Sequence, residues 1–167
     1  VYHKITFKLK KGEVLGLAGL RGSGRTEIFK GIVGIDHPDE GAIYANGQKR
    51  RFASPAEALK DGIVYLPEDR EKEGLINNLS VMENLIINSL NNVKKGLLIN
   101  RNKEKKAVAN LIKGLDIKVA SPEQEVSQLS GGNKQKVVVG KIAAARPHVF
   151  LLDEPTKGVD ISAKQGY

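Results

Sequence analysis

Eight residues constrain this chain more than any other feature: Gly19-Leu20-Arg21-Gly22-Ser23-Gly24-Arg25-Thr26. They follow a short apolar run, Val14 to Ala18, and precede Ile28, Phe29, Ile32 and Val33, which recur at helical spacing. A glycine-rich turn between a buried strand and a helix commits the chain to α/β packing, because such a strand needs cover on both faces. The spacing is that of a P-loop, G-x-x-x-x-G-K-S/T, with Arg25 where lysine is the usual residue. Glycines let the backbone curl so that successive N–H groups point inward at phosphate oxygens. The helix that follows adds the positive end of its dipole. Thr26 is placed to offer its hydroxyl to Mg²⁺. Arg25 keeps the charge of lysine but not its shape, since a planar fork is bulkier than an ammonium. Read alone, the stretch also serves as a glycine-rich β–α turn that holds no ligand. A dinucleotide fingerprint fits less well, because Gly22-Ser23-Gly24 runs on into Arg25-Thr26-Glu27 and the third glycine is missing.

The rest of the chain supplies the elements around this turn. Ile5, Phe7 and Leu9 alternate with Thr6, Lys8 and Lys10, which predicts a strand with one buried face, ended by a turn at Lys11-Gly12. Val14 to Ala18 predicts a strand buried on both sides. Ala42-Ile43-Tyr44 before Asn46-Gly47 predicts a strand entering a hairpin turn. Ser54-Pro55-Ala56-Glu57 opens a helix, with Ser as N-cap, Pro at the first helical position and Glu at the third. Ile63 to Leu66 is an apolar strand, and Pro67 to Leu79 is a polar loop. A second capping box, Ser80-Val81-Met82-Glu83, opens a helix toward Leu90. Ala107, Val108, Leu111, Ile112 and Leu115 make residues 101 to 115 an amphipathic helix. A further helix covers roughly residues 133 to 145, and Val149 to Leu152 is a buried strand. Residues 67 to 146 thus read almost wholly helical, a subdomain inserted into an α/β core formed by 1–66 and 147–167.

Composition narrows the class. A length of 167 residues suits one domain. With 40% hydrophobic and 28% charged residues the chain is ordinarily globular. No apolar run approaches the roughly 20 residues that span a bilayer. Val1 to Lys11 does not read as a signal peptide. Cysteine is absent, so disulfides and thiolate metal sites are excluded. The net charge of +8 permits a nucleic-acid surface, but aromatics are only 5% and do not interleave with the basic clusters, so no base-stacking platform is indicated. A solvated basic surface, or one that meets an anionic nucleotide, accounts for the charge.

Two more motifs carry chemistry. In Val149-Phe150-Leu151-Leu152-Asp153-Glu154, two carboxylates sit at the C-terminal end of a buried strand, where open α/β sheets bind ligands. Asp153 can hold Mg²⁺ and Glu154 can orient an attacking water. Taken alone, they suit better two carboxylates that close a strand, with Asp153 or Glu154 capping the turn at Pro155; the P-loop upstream in the same chain reverses that balance. In Leu129-Ser130-Gly131-Gly132-Asn133-Lys134-Gln135, a serine and two glycines at a helix start form a second phosphate-binding end, or simply a Ser N-cap with flexible glycines.

The order of P-loop, L-S-G-G-x-x-Q and an apolar run ending D-E-P-T resembles the nucleotide-binding domain of ABC transporters. Leu129 to Gln135 matches that family's signature, Leu152 to Thr156 its Walker B strand end and catalytic glutamate, and Gly158-Val159-Asp160 its D-loop. The P-loop Arg25, Ser54 to Ala58, Leu66-Pro67-Glu68-Asp69-Arg70 and Gly131 to Lys136 resemble the second cassette of the fused two-cassette ATP-binding proteins of ribose, galactose and xylose type importers.

The resemblance implies a P-loop NTPase fold and ATP with Mg²⁺ as ligands. Gly19 to Thr26 would hold the nucleotide, and Thr26, Asp153 and Glu68 the metal, with Glu154 catalytic. Ser130, Gly131, Gly132 and Gln135 would complete the site of a second cassette, fused upstream, and Asp160 would form the D-loop. Further implied partners are transmembrane permease subunits, met through Pro67 to Leu79 and the helix opening at Ser80, where the apolar Leu75, Ile76 and Leu79 either face that partner or tuck onto the chain's own helical subdomain, and indirectly a periplasmic or extracellular sugar-binding protein, but no nucleic acid. The location implied is peripheral, on the cytoplasmic face of the membrane. Arg25 and Glu68 depart from the family's lysine and glutamine, which leaves a catalytically degenerate nucleotide-binding scaffold, weak or inactive in isolation, as an alternative. An ABC ATPase unconnected with transport is another. Family cassettes continue to a strand with a switch histidine and begin further upstream of the P-loop, so the chain is expected to be a cassette truncated at the C-terminal end.

Overall fold

In the computed structural model, which describes residues 5–20, 22–95 and 98–154, the glycine-rich loop runs directly into helix α1, Arg25–Val33. Gly24 caps it from the left-handed region at φ 88°, a conformation that glycine adopts without steric cost. Strands β1 (Ile43–Ala45) and β2 (Gln48–Arg50) pair antiparallel. Their turn holds Asn46 at φ 51° and Gly47 at φ 76°, as a tight Asn-Gly hairpin requires. Helix α2 (Pro55–Lys60) opens as expected, with Ser54 Oγ accepting the Glu57 N–H at 3.4 Å. Strand β3 is Ile63–Leu66. One turn of helix, α3 (Arg70–Glu73), interrupts the stretch expected to be loop.

Helix α4 (Val81–Ile86) carries the complete capping box: Ser80 Oγ accepts the Glu83 N–H at 3.2 Å, and Glu83 Oε2 accepts the Ser80 N–H at 2.8 Å. The chain then tightens into a 3₁₀ turn over Ile87–Ser89 before α5 (Leu90–Val93). Ser89 Oγ donates to the Ile86 carbonyl at 3.2 Å, a local bond that competes with the α-helical ladder. A two-residue antiparallel pair, β4 (Lys94–Lys95) and β5 (Leu98–Ile99), precedes α6 (Arg101–Gly114). Helix α7 (Gly131–Ala144) starts within the glycine pair of the signature, two residues before the expected position. Strand β6 (Val149–Leu152) lies parallel to β3, with Ile63 opposite Val149 and Leu66 opposite Leu152.

Strand β3 separates two apolar clusters because its side chains alternate. Val64 and Leu66 join Leu75, Val81, Leu85, Val108, Val137, Val138 and Ile142 on the helical side. Ile63 joins Val33, Phe52, Ala58 and Leu151, with Phe29 and Tyr65 packed against them. On the helical side the approach of α4 to α7 is set by Gly140. A Cβ there would lie 2.6 Å from Leu85 Cδ2 and 3.0 Å from Leu115 Cδ1, and Leu85 is fully buried. Gly140→Ala should therefore cost about 1–3 kcal/mol through overpacking, outweighing alanine's better helix propensity. Urea denaturation measures it; an unchanged or raised midpoint would mean that the two helices are not in this contact.

The two strands expected upstream of the P-loop are not formed. The turn at Lys11-Gly12 is present, with the Glu13 N–H on the Lys10 carbonyl at 3.0 Å and Gly12 at φ 79°. The flanking segments are irregular and open: Ile5, Phe7 and Leu9 are 40–45% exposed and Val14 is 98% exposed. The reason is the missing ladder. Among the described residues no strand pairs with β6 on the side away from β3. An alternating or apolar run has no strand stability of its own without neighbours to take its N–H and C=O groups. Phe150 and Leu152 of β6 are accordingly left 49% and 42% exposed.

Candidate functional site

The site forms where the start of α1 meets the ends of β3 and β6. In the loop, the Ser23 N–H donates to the Leu20 carbonyl at 3.1 Å, with Gly22 at φ 80°. A side chain at Gly19 would run into Ser23 Oγ, so the loop interior has room for backbone only. The first-turn N–H groups of α1 have no carbonyl within the helix and face the loop end, the arrangement that suits an anion.

Strand β6 delivers the carboxylates. The Asp153 N–H donates to the Leu66 carbonyl at 3.0 Å, which extends the β3–β6 ladder by one residue and fixes the Asp153 backbone. Asp153 is 5% exposed. Thr26 Oγ1 donates to Asp153 Oδ2 at 2.6 Å, and the Tyr65 hydroxyl donates to the same oxygen at 3.3 Å. Tyr65 rises from β3 with its ring tilted 53° against Phe29 of α1, centroids 6.2 Å apart. Burial pushes the Tyr65 phenol well above its ordinary pKa, and the Asp153 and Glu73 carboxylates push the same way. It is therefore a neutral donor at physiological pH.

Arg25 pairs with Glu154 at 3.6 Å, both partly exposed. Glu154 holds φ 45°, a left-handed backbone that costs a non-glycine residue of order 1 kcal/mol. Glu68 faces an open cavity of about 450 Å³ that it shares with Thr26, Lys30, Tyr65, Asp69 and Glu73.

The fold thus brings Arg25, Thr26, Asp153 and Glu154 together, with Glu68 in the adjoining cavity. Leu20 offers its backbone, its side chain being 86% exposed. Arg21 and Asp160 lie outside the described residues. The signature residues stand elsewhere: the cavity lining draws nothing from α7. Ser130, Gly131 and Gly132 are exposed at the α7 N-terminus. Ser130 Oγ makes no backbone cap; it accepts from Asn133 Nδ2 at 3.0 Å. Asn133 Oδ1 in turn accepts the Lys118 N–H at 2.8 Å. A Cβ at Gly132 would meet nothing within 4 Å, so this helix end is open to a partner. Gln135 turns inward, and its Nε2 is buried without a hydrogen-bond partner.

Sequence reasoning missed Tyr65 and Lys30. Lys30 was within reach of it, one helical turn after Thr26, whereas the local pattern places Tyr65 on a strand face with Ile63 and says nothing of its meeting with Asp153. Leu75 needs a correction. Expected to face a membrane partner, it is 6% exposed and belongs to the helical cluster, while Ile76 stays 38% exposed. The backbone around it is tied down from both sides. Asn84, fully buried, accepts the Ile76 N–H at 2.9 Å and donates to the Ile76 and Ser80 carbonyls at 3.0 Å each. Lys141 of α7 donates to the Gly74 carbonyl at 3.0 Å, and burial lowers its pKa.

The oxygen donors at the site fit a hard cation. A hydroxyl and a carboxylate converging at 2.6 Å are the pair that Mg²⁺ takes beside substrate phosphates and water. Among the described residues no three acidic, histidine or cysteine side chains gather into a protein-only metal cage, which the same ion does not need.

A parallel strand pair with a phosphate loop before one helix, two carboxylates at the strand end and a helical insertion define a P-loop NTPase of the ATP-binding cassette class. A profile of the ABC transporter family matches residues 2–157, and the chain belongs to that family. It is 43% identical over 164 residues to a ribose import ATP-binding protein RbsA of Bacillus cereus, covering 98% of this chain and 33% of that protein. It is 46% identical over 165 residues to the protein of the same name from Geobacillus kaustophilus, covering 99% and 33%. The chain spans about a third of the length of these curated relatives. A dimeric bacterial ABC transporter cassette superposes over 95% of this chain and 68% of its own, with TM-score 0.74 and 25% identity. A dimeric cassette in a post-hydrolysis state with ADP and Pi matches in fold with TM-score 0.76 at 23% identity, over the same shares of 95% and 68%.

Proposed function

We propose that this chain is an ATP-binding cassette of a sugar importer, and that it binds Mg–ATP at Gly19–Thr26 and serves a second cassette through its signature. The observation that carries the reading is the Thr26–Asp153 contact at 2.6 Å beneath the glycine loop. It brings together two groups 127 residues apart in the chain that have a joint use at a nucleotide's metal ion. The backbone of Gly19, Leu20, Arg21, Gly22, Ser23 and Gly24 cradles the phosphates, and Arg25 adds charge. Thr26, Asp153 and Glu68 are the residues that would hold Mg²⁺, which when bound neutralises charge growing on the phosphate oxygens. Glu154 orients a water and accepts its proton as that water displaces ADP from the γ-phosphorus, leaving ADP and phosphate. Ser130, Gly131 and Gly132 present a helix start to the nucleotide of the partner cassette, and Asp160 belongs to the D-loop at that interface. The division into a core (1–66 and 147–167) and a helical subdomain (about 67–146) is supported by the apolar clusters on the two faces of β3.

The remaining partners go with a role in sugar import: an upstream cassette, transmembrane permease subunits and, indirectly, a sugar-binding protein. No helix among the described residues is long and apolar enough to cross a membrane, which suits a peripheral place on its cytoplasmic face. A second reading, a slow or non-hydrolysing scaffold cassette, is favoured by one observation: Arg25 meets Glu154 at 3.6 Å, so the phosphate ligand and the base engage each other. The test is ATP hydrolysis by the parent polypeptide, with the other cassette silenced. Glu154→Gln should leave ATP binding intact and lower turnover by about 100-fold or more, the usual range for a general base. Absence of ATP binding by the unaltered protein would end the primary reading. Binding without any turnover for Glu154→Gln to reduce would favour the scaffold.

A further inference from the structure

Two hydroxyls converge on one carboxylate oxygen, Asp153 Oδ2: Thr26 at 2.6 Å and Tyr65 at 3.3 Å. They differ in what loading the site does to them. In the reading above, Thr26 also gives an oxygen lone pair to the ion, so its position answers to the ion as well as to Asp153. Tyr65 stands outside the phosphate loop. Its backbone is set by the β3–β6 ladder opposite Leu151, and its ring is braced by Phe29.

We propose that Tyr65 is a positioning residue for metal binding: its hydroxyl fixes the Asp153 carboxylate, so that the carboxylate is already oriented when Mg–ATP arrives. This rests on the reading of Asp153 as a residue that serves the nucleotide's metal. The torsion that turns an aspartate carboxylate has a broad, shallow profile, so orientation has to come from a hydrogen-bond partner. At 5% exposure Asp153 has little contact with bulk water that could supply one. The chemistry of the partner also matters. A lysine or arginine in the place of Tyr65 would neutralise the carboxylate and compete with the cation. A neutral phenol orients the carboxylate and leaves its charge for the ion, as outer partners of metal ligands do.

The competing account is a core tyrosine whose hydroxyl has merely found an acceptor. Tyr65→Phe separates the two, because it keeps the ring on Phe29 and removes only the hydroxyl. The measurement is ATP affinity of the full chain by calorimetry, once in EDTA and then across a MgCl₂ series. The variant should match the unaltered chain in EDTA. The MgCl₂ concentration giving half of the metal-dependent gain should rise about 10-fold, the low end for loss of an outer partner, since the bond is a long one. In an Asp153→Asn background the same substitution should add nothing. An unchanged MgCl₂ requirement in Tyr65→Phe overturns the proposal. So does an equal loss of affinity with and without metal, which would mark Tyr65 as packing or as nucleotide surface; melting of the ligand-free variant tells these two apart. If Asp153→Asn itself leaves the MgCl₂ dependence unaltered, the metal reading of the site falls and this inference falls with it.

Discussion

Ser130→Arg is expected, on the importer function proposed above, to abolish ATP-driven transport by the assembled protein, while Arg25→Ala leaves most of it intact. Ser130 is the exposed residue before α7, and the glycines that follow it leave the helix start open. A guanidinium there covers the N–H groups that the proposal assigns to the partner's nucleotide and sets a cation against the positive end of the helix. Losing one preorganised donor in a working site typically costs about 100-fold in rate or more, and a bulky side chain at 130 obstructs the approach to the whole helix start. Arg25, by contrast, is assigned by the proposal to its own cassette's site, where it is engaged with Glu154 and lacks the shape of lysine. Uptake of labelled sugar into vesicles, with assembly verified, decides between the outcomes. Equal damage from both substitutions would return Arg25 to the role of a working phosphate ligand and remove the asymmetry between the two sites.

Leu85→Ala is expected to cost about 3–5 kcal/mol of stability, the upper part of the range for a buried leucine. Leu85 is fully buried between α4 and α7, and the cavity it leaves is bounded by helices that Val81, Val137 and Val138 still hold together. A loss of this size is comparable to much of the stability of an ordinary domain. Chemical denaturation at constant m-value reads it. The double variant Leu85→Ala/Gly140→Ala should be less destabilised than the two single losses added together, because the new methyl at 140 points into the space Leu85 vacated. Strict additivity would show that Leu85 and Gly140 do not touch.

What could be read from residue order was what depends on near neighbours. The caps at Ser54 and Ser80, the Asn46-Gly47 turn and the apolar runs of β3 and β6 all act within a few residues, and each is where the pattern put it. The runs before the P-loop were misread for a physical reason. Alternation at Ile5, Phe7 and Leu9 states which side of a strand would be buried, but not whether a neighbouring strand is present to receive it. Leu75 illustrates the reverse: an apolar residue in a charged loop is equally consistent with a partner outside and with a core inside. At the site, Arg25, Thr26, Asp153 and Glu154 could be named because motif spacing carries their chemistry. Tyr65 could not, since its contact with Asp153 closes a gap of 88 residues and no local periodicity encodes that meeting.

The ties from Asn84 and Lys141 bear on how force would pass through this protein. With the Gly74 carbonyl held from α7 and the Ile76 backbone held from α4, residues 74 to 80 act as a splint and not as a hinge. The splinted segment follows directly on the stretch whose Glu68, Asp69 and Glu73 line the cavity with Thr26. Through it α4 and α7 are tied into one unit, and any displacement of that unit carries with it the exposed glycines at the head of α7.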